Sequence, residues 1–331
     1  MPITQPFLAY RIDRINEKIS GQLQHITLDD ISPGDVIIRV HYSDINYKDA
    51  LAATGTAPIL RHFPLVGGID LSGEVIESAD ERFTVGDLVS VLGCGLSESR
   101  DGGYAEYARV TADCPVVIPS GLDARSAMSI GTAGFTAALA IHRMETNGQN
   151  PGQGPIVVTG ATGGVGSFAI DMLSSKGYEV HALTGKPSKR DYLGHLGAHT
   201  VIDRNQLELG TKPLESARWA GAIDNLGGDV LAWLTRSVRP WGNIASVGLA
   251  ASPKLHATVM PFILRSVSLL GINMSVPTEL RTELWNRLAG DLRPRHLNKI
   301  VTREVSLVEL PQAFNAFING EITGRTLVKI R

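Results

Sequence analysis

A chain of 331 residues with 43% apolar content is long enough for about two domains, each with a core of its own. Its 31 basic and 33 acidic residues leave a formal net charge of -2, which argues against nucleic acid or an anionic membrane as the main partner and for a small diffusible substrate. Two cysteines, Cys94 and Cys114, stand apart without a C-x-x-C or a neighbouring histidine, so their spacing suggests neither a disulfide framework nor a zinc cluster. Met1 to Glu17 lacks an apolar core, and no later run approaches ~18 uninterrupted apolar residues; the expectation is a soluble protein of the reducing cytoplasm.

The first ~120 residues read as β-rich. Pro33-Gly34 is a turn, and Val36, Ile38 and Val40 alternate with Ile37, Arg39 and His41, as in a strand with one buried face. Gly67-Gly68, Gly86-Asp87 and Gly102-Gly103 punctuate further strands at Leu71–Ile76, Leu88–Leu92 and Tyr104–Val110, which suggests a small barrel-like domain. After Pro119-Ser-Gly121 the apolar residues from Ala124 to Ile141 fall at helical spacing, giving a long helix that ends near Met144. A polar loop, Glu145 to Pro155, then delivers the chain to a different kind of sequence.

Ile156-Val-Val-Thr-Gly-Ala-Thr-Gly-Gly-Val-Gly-Ser167 reads strand, tight turn, helix. Glycines let a backbone approach a pyrophosphate, and the free N–H groups at a helix start favour its charge. Against the dinucleotide fingerprint G-x-G-x-x-G, the first glycine is replaced by Ala161 and the other two are Gly163 and Gly166. The competing reading, a surface turn between buried elements, is disfavoured by its place in a strand–turn–helix–strand unit of ~30 residues. The second strand of that unit, Tyr178–Leu183, is followed by Thr184, Gly185, Lys186, Lys189 and Arg190. An acid there would suit a free ribose 2′-OH; small and basic residues suit a 2′-phosphate, so NADPH is favoured over NADH.

Beyond it, a helix opening at Pro187 stops at Gly197, and strands follow at Thr200–Asp203, Ala222–Asn225, Asn243–Val247 and Val267–Gly271, with a helix over Val230–Val238. Six parallel strands with helices between them make an α/β doubly wound sheet that binds ligands across its carboxyl ends. Residues from Pro277 onward hold two helical patterns and a closing strand, Thr326–Ile330, that is expected to return to the first domain. The expected layout is a β-rich domain of residues 1–124 and 272–331, a nucleotide-binding domain of residues 125–271, and a cleft between them.

Asp44-Ile-Asn-Tyr-Lys-Asp49, Pro64-x-x-Gly-Gly-Ile-Asp70, Gly131-Thr-Ala-Gly-Phe-Thr-Ala137, Thr159 to Gly166, Val259-Met-Pro-Phe-Ile-Leu-Arg265 and Gly324-Arg-Thr-Leu-Val-Lys329 together resemble the medium-chain dehydrogenase/reductase superfamily. Within it they resemble the zinc-free acrylyl-CoA reductase branch, also called quinone oxidoreductase-like. The resemblance covers nearly the whole chain and implies a Rossmann sheet inserted in a GroES-like barrel. Relatives that bind catalytic zinc carry a Cys and a His-Glu pair where this chain has Asn46 and Ile69-Asp70. An isoleucine and an asparagine amide cannot replace a thiolate and an imidazole as tetrahedral ligands, so no metal is expected, and alcohol oxidation assisted by zinc is disfavoured.

What the resemblance then implies is NADPH-dependent reduction of a carbon–carbon double bond conjugated to a carbonyl. Hydride reaches the β-carbon, charge builds on the carbonyl oxygen, and the α-carbon takes a proton. Tyr47 and Lys48 are the catalytic candidates, Tyr47 also as a cofactor contact. Their competing readings are a packed aromatic and a surface charge, and Asn46 and Asp49 can simply cap a turn or helix. By the same resemblance Gly163, Gly164, Val165 and Gly166 hold the pyrophosphate, and Thr184, Gly185, Lys186 and Arg204 hold the 2′-phosphate. Asn225, Leu249 and Ile272 border the nicotinamide ribose or ring, and Arg325 reaches the cofactor from the final strand. Three activities remain open: acrylyl-CoA reduction to propionyl-CoA, reduction of quinones or other enones, and a non-catalytic NADPH sensor or scaffold. The exposed sheet edge and the apolar segment Leu249–Leu270 suggest a homodimer.

Overall fold

Alternating apolar and polar residues lay the first third of the chain into antiparallel strands. The computed structural model describes residues 5–331, which form two compact units, the first ending at Thr132 and resuming over Leu297–Arg331, the second covering Ala133–His296. In the first unit, β1 (Phe7–Ile15) and β2 (Lys18–Ile26) make a hairpin, followed by β3 (Val36–Ile45), helix α1 (Tyr47–Thr54), β4 (Leu65–Val66), β5 (Asp70–Ser78), β6 (Leu88–Leu92), β7 (Tyr107–Val110) and β8 (Val116–Val117). The last two strands of the chain, β15 (Val301–Val305) and β16 (Arg325–Lys329), return here, and β16 pairs antiparallel with β3. One sheet runs in the order β15-β16-β3-β5-β6-β8, with β7 also on β3. Val36, Ile38, Val40, Leu71, Val75, Val89 and Val91 fill its core, each such side chain contributing about 1.5–3 kcal/mol on burial. The hairpin packs Phe7, Tyr10 and Ile12 with Tyr104 and Phe314 in a second cluster.

Cys94 and Cys114 are joined by a disulfide, with their Cα atoms 5.8 Å apart, contrary to the expectation from their spacing. Their approach is a matter of strand register: β6 pairs antiparallel with β8, Ser90 opposite Val116, so the residues just after β6 meet those just before β8. No local motif carries that information. The expectation of a reducing compartment thereby loses the support it drew from unpaired thiols.

The second unit is the doubly wound α/β sheet. Strands β9 (Ile156–Thr159), β10 (Val180–Thr184), β11 (Thr200–Asp203), β12 (Trp219–Asp224), β13 (Val238–Ser246) and β14 (Ser268–Gly271) stand in the order β11-β10-β9-β12-β13-β14, and every pair is parallel. β9 and β12 are buried throughout, as expected for a sheet covered on both faces. The helices are α2 (Ala124–Thr146), α3 (Gly164–Ser175), α4 (Arg190–His195), α5 (Gly228–Ser237), α6 (Met260–Arg265) and α7 (Thr278–Ala289). The long helix is interrupted at Gly131, whose φ is +49°, and the chain passes from the first unit to the second just beyond it.

Residues 272–296, read from sequence as part of the β-rich domain, belong to this second unit. Helix α7 buries Leu284, Trp285 and Leu288, the Trp285 ring lies 6.1 Å from that of Phe135, and Arg287 pairs with Glu145 at 2.8 Å. Trp241 in β13 has a left-handed φ of +65° and is 75% exposed. Val259, Ile263 and Leu264 are also exposed. Among the described residues no helix is long and apolar enough to cross a membrane.

Candidate active site

The second unit gathers the predicted nucleotide residues along the carboxyl end of its sheet. The β9 strand ends at Thr159, the chain turns at Gly160 with φ +57°, and Gly163 precedes the first turn of α3. A side chain at Gly166 would place its Cβ 2.5 Å from the Gly160 carbonyl oxygen, so only glycine lets the helix start this close to the strand. The first N–H groups of α3, on Gly164, Val165 and Gly166, have no partner within the helix and point out of its start; they suit a pyrophosphate. Asn225 donates through Nδ2 to the Thr159 carbonyl at 2.7 Å, fixing its amide beside the glycine turn.

At the next strand, Thr184 accepts from the Lys186 N–H at 3.0 Å. The Arg204 guanidinium lies over Gly185, so near that a Cβ on Gly185 would be 3.0 Å from it. Thr184, Gly185, Lys186 and Arg204 therefore share one corner. Asp203, the acid at the end of β11, caps the turn that follows, accepting from the Asn205 N–H at 2.9 Å. A hydroxyl, a guanidinium and a neighbouring lysine fit a 2′-phosphate. Leu249 is exposed on the loop after β13 and lines a cavity of about 200 Å³ with Gly227, Gly228 and Lys254, while Ile272 donates its N–H to Ser246 O at 3.0 Å. Asp224, which a sequence reading passes over, accepts from Thr159 Oγ1 and Gly227 N, both at 2.7 Å. Burial raises its pKa against those bonds.

The first unit contains a different construction. Tyr47 and Lys48 open α1; Tyr47 is 53% exposed, and Lys48 is ion-paired with Glu98. Asp49 reaches back to accept from the Asn46 N–H at 2.8 Å, the return half of a capping box, and with its other oxygen accepts from Ile69 N at 2.9 Å. Asn46 donates through Nδ2 to Asp44 at 2.7 Å and to Asp70 at 3.0 Å. Asp70 also accepts from Thr132 N and Thr132 Oγ1, at 2.8 and 2.7 Å. Asp44, Asp49 and Asp70 are all buried. Burial, outweighing the backbone N–H groups that favour the anion, pushes Asp49 up to about 7. Burial raises Asp44 well above the usual carboxylate range although Arg325 opposes it.

Arg325 is the cation of this network. Its guanidinium is buried, pairs with Asp44 and donates to Asn46 Oδ1 at 3.1 Å. The sequence reading sends this side chain to the cofactor; the structure spends these bonds inside the first unit. Gly131 is what admits it, since a Cβ there would lie 2.7 Å from the guanidinium and 2.0 Å from Asp44 Oδ2. Of this constellation, Asn46 and Asp49 are readable as caps. Asp44, Tyr104, whose hydroxyl donates to Asp44 O at 2.9 Å, and Thr132 leave no local signal, because their partners lie far along the chain.

Zinc does not fit these donors. The Asn46 amide bonds three charged neighbours, Ile69 offers no ligand atom, and a guanidinium sits where a dication would need room. Elsewhere among the described residues Cys94, Asp113 and Cys114 bring three possible ligand atoms within 4.8 Å, but the two sulfurs are bonded to each other and are not thiolates.

The chain matches the model of the alcohol dehydrogenase GroES-like domain over residues 32–120 and that of the zinc-binding dehydrogenase over residues 164–290. It is 42% identical over 328 residues to acrylyl-CoA reductase AcuI of Ruegeria pomeroyi, covering 98% of this chain and 99% of that protein. YhfP of Bacillus subtilis, whose name proposes a quinone oxidoreductase, is 45% identical over 326 residues, 98% of this chain and 99% of YhfP; its crystal structure, with NAD bound, superposes with a TM-score of 0.96 over 99% of this chain and all of that one. Escherichia coli YhdH, solved with NADPH bound, is 45% identical with a TM-score of 0.94, covering 98% of this chain and 100% of YhdH. Fold, glycine turn and these full-length likenesses converge: the chain is an oxidoreductase belonging to the medium-chain dehydrogenase/reductase superfamily, on its quinone oxidoreductase-like side.

Proposed function

We propose that this protein uses NADPH to reduce the carbon–carbon double bond of an α,β-unsaturated thioester, acrylyl-CoA to propionyl-CoA. The observation that carries the proposal is the full-length likeness to acrylyl-CoA reductase AcuI, and the donor set around Asn46, which is unsuited to zinc, agrees with it. When bound, NADPH supplies the hydride. The first-turn N–H groups of α3 would hold its pyrophosphate, and Lys186 and Arg204 its 2′-phosphate. Tyr47, exposed at the start of α1, gives its hydroxyl proton to the α-carbon once the β-carbon has taken the hydride, and the phenolate left behind regains a proton from solvent. Asp49 holds the turn that carries Tyr47, and Glu98 tethers Lys48 beside it. No strong base is required.

A second reading, reduction of quinones or general enones, is favoured by the likeness to YhfP. Steady-state assays with NADPH, comparing acrylyl-CoA with a simple benzoquinone, separate the two. Acrylyl-CoA turnover at least as efficient as that of the quinone is expected, and no acrylyl-CoA turnover beside fast quinone turnover rejects the thioester. We also propose a homodimer formed along β14 and the exposed Val259, Ile263 and Leu264; sedimentation showing monomer at micromolar concentration removes it.

A further inference from the structure

We infer that the first unit carries a site for the phosphorylated nucleotide end of a CoA thioester, made by Arg61 and His62 with Arg14 beside them. The inference rests on the thioester reading and names the part of the substrate that the reaction itself leaves untouched. Two loops meet next to the start of α1. The Arg61 N–H donates to Glu98 O at 2.7 Å, and His62 Nε2 lies 3.1 Å from Ser99 O, so residues 61–62 are held on the loop that bears Glu98. The same Glu98 carboxylate pairs with Lys48. Arg14, from the β1–β2 hairpin, lays its guanidinium over the Phe63 ring at 4.6 Å.

Lys48 thus pairs with the loop on which Arg61 and His62 are held, and Arg14 covers the ring of the next residue, Phe63, in a chain whose overall charge is -2. Glu98 answers Lys48 alone. Among the described residues no carboxylate pairs with the guanidinium of Arg14 or Arg61, and Arg14, Arg61 and His62 are all exposed. An exposed guanidinium without a partner is a ready fork for phosphate oxygens. A CoA thioester has its phosphates at the far end of a long neutral pantetheine arm, so a phosphate site should stand away from the reacting carbons but on a surface continuous with them. The contacts from Tyr47 and Lys48 through Glu98 to Arg61 provide that continuity. A quinone, which has no such tail, gives these residues nothing to bind.

The test uses the intact protein with NADP+ held saturating, so that the 2′-phosphate corner of the second unit is filled and CoA reports on the first. Calorimetric titration with CoA is expected to show binding that weakens as salt rises. Arg61→Ala should weaken it about tenfold and Arg61→Glu about a hundredfold, in line with loss and reversal of a charge-assisted contact. Absence of CoA binding to the wild type, affinity unchanged in both variants, or equal competition by inorganic phosphate at the same concentration overturns the inference. In parallel, with NADPH, the kcat/KM for acrylyl-CoA relative to acrylyl-N-acetylcysteamine should fall by the same factors in the variants, and a constant ratio counts against it. Wild-type protein that fails to reduce either thioester sinks the proposed reaction, while the CoA titration still decides the site.

Discussion

The two units treat charge in opposite ways. Around Asn46, two carboxylates, an amide and a guanidinium bond one another in the interior while Asp49 takes backbone N–H groups, so that charge built into the fold is met within the fold. At the carboxyl end of the parallel sheet, side chains are withdrawn: glycines strip the turn down to backbone, and the Arg204 guanidinium lies over Gly185 at the corner where Lys186 leaves the next strand. The first arrangement holds a turn in place; the second is arranged to receive a charge from outside. The contrast teaches that a buried ionic cluster in an enzyme need not be where the ligand's charge goes.

The largest effect expected from breaking this contrast lies inside the network. Arg325→Ala leaves Asp44 buried without its cation and should cost about 3–5 kcal/mol, read by urea denaturation. Replacing both partners with apolar residues, Arg325→Met with Asp44→Leu, should recover part of that loss. A double variant no more stable than the single one would show that the guanidinium serves more than charge balance.

Reducing the Cys94–Cys114 bridge reopens a loop of 20 residues, with an expected loss of about 3 kcal/mol from chain entropy. A melting temperature indifferent to dithiothreitol would mean that the β6–β8 register already fixes the loop. On the receptive side, Lys186→Ala and Arg204→Ala should each weaken NADPH about tenfold or more while sparing NADH, measured by fluorescence titration. Equal loss for both cofactors would contradict the assignment of that corner to the 2′-phosphate.

The last effect is one of pH. Because burial raises Asp49 to about 7, the folded protein keeps a proton that the unfolded chain has already released. The stability this confers is complete at acid pH and is lost as pH rises from the ordinary carboxylate range through about 7, with a slope on the order of 1 kcal/mol per pH unit. Asp49→Asn should flatten that slope; an unchanged slope would assign it to Asp44, which is raised for the same reason.

The same contrast explains what was legible in the sequence. A site made of backbone must be written in glycine, and the turn from Gly160 to Gly166 is read directly, as are the six strands that alternate with helices around it. A site made of mutual side-chain contacts leaves no such trace. Arg325 and Asn46 are 279 residues apart, and nothing local in either segment announces the other. The disulfide escaped for the same reason, since strand register rather than spacing brings its halves together. Helix α7 was assigned to the wrong domain because its apolar face says that it must be covered, not by what.

Trp241 has a practical consequence. The other three tryptophans, Trp219, Trp233 and Trp285, are buried, while Trp241 stands open to solvent beside a cavity it shares with Phe262. Added iodide should therefore extinguish the emission of one indole and leave three glowing. Any event that covers that edge of the sheet, the arrival of a second copy included, would announce itself as a loss of quenching, without a label being attached.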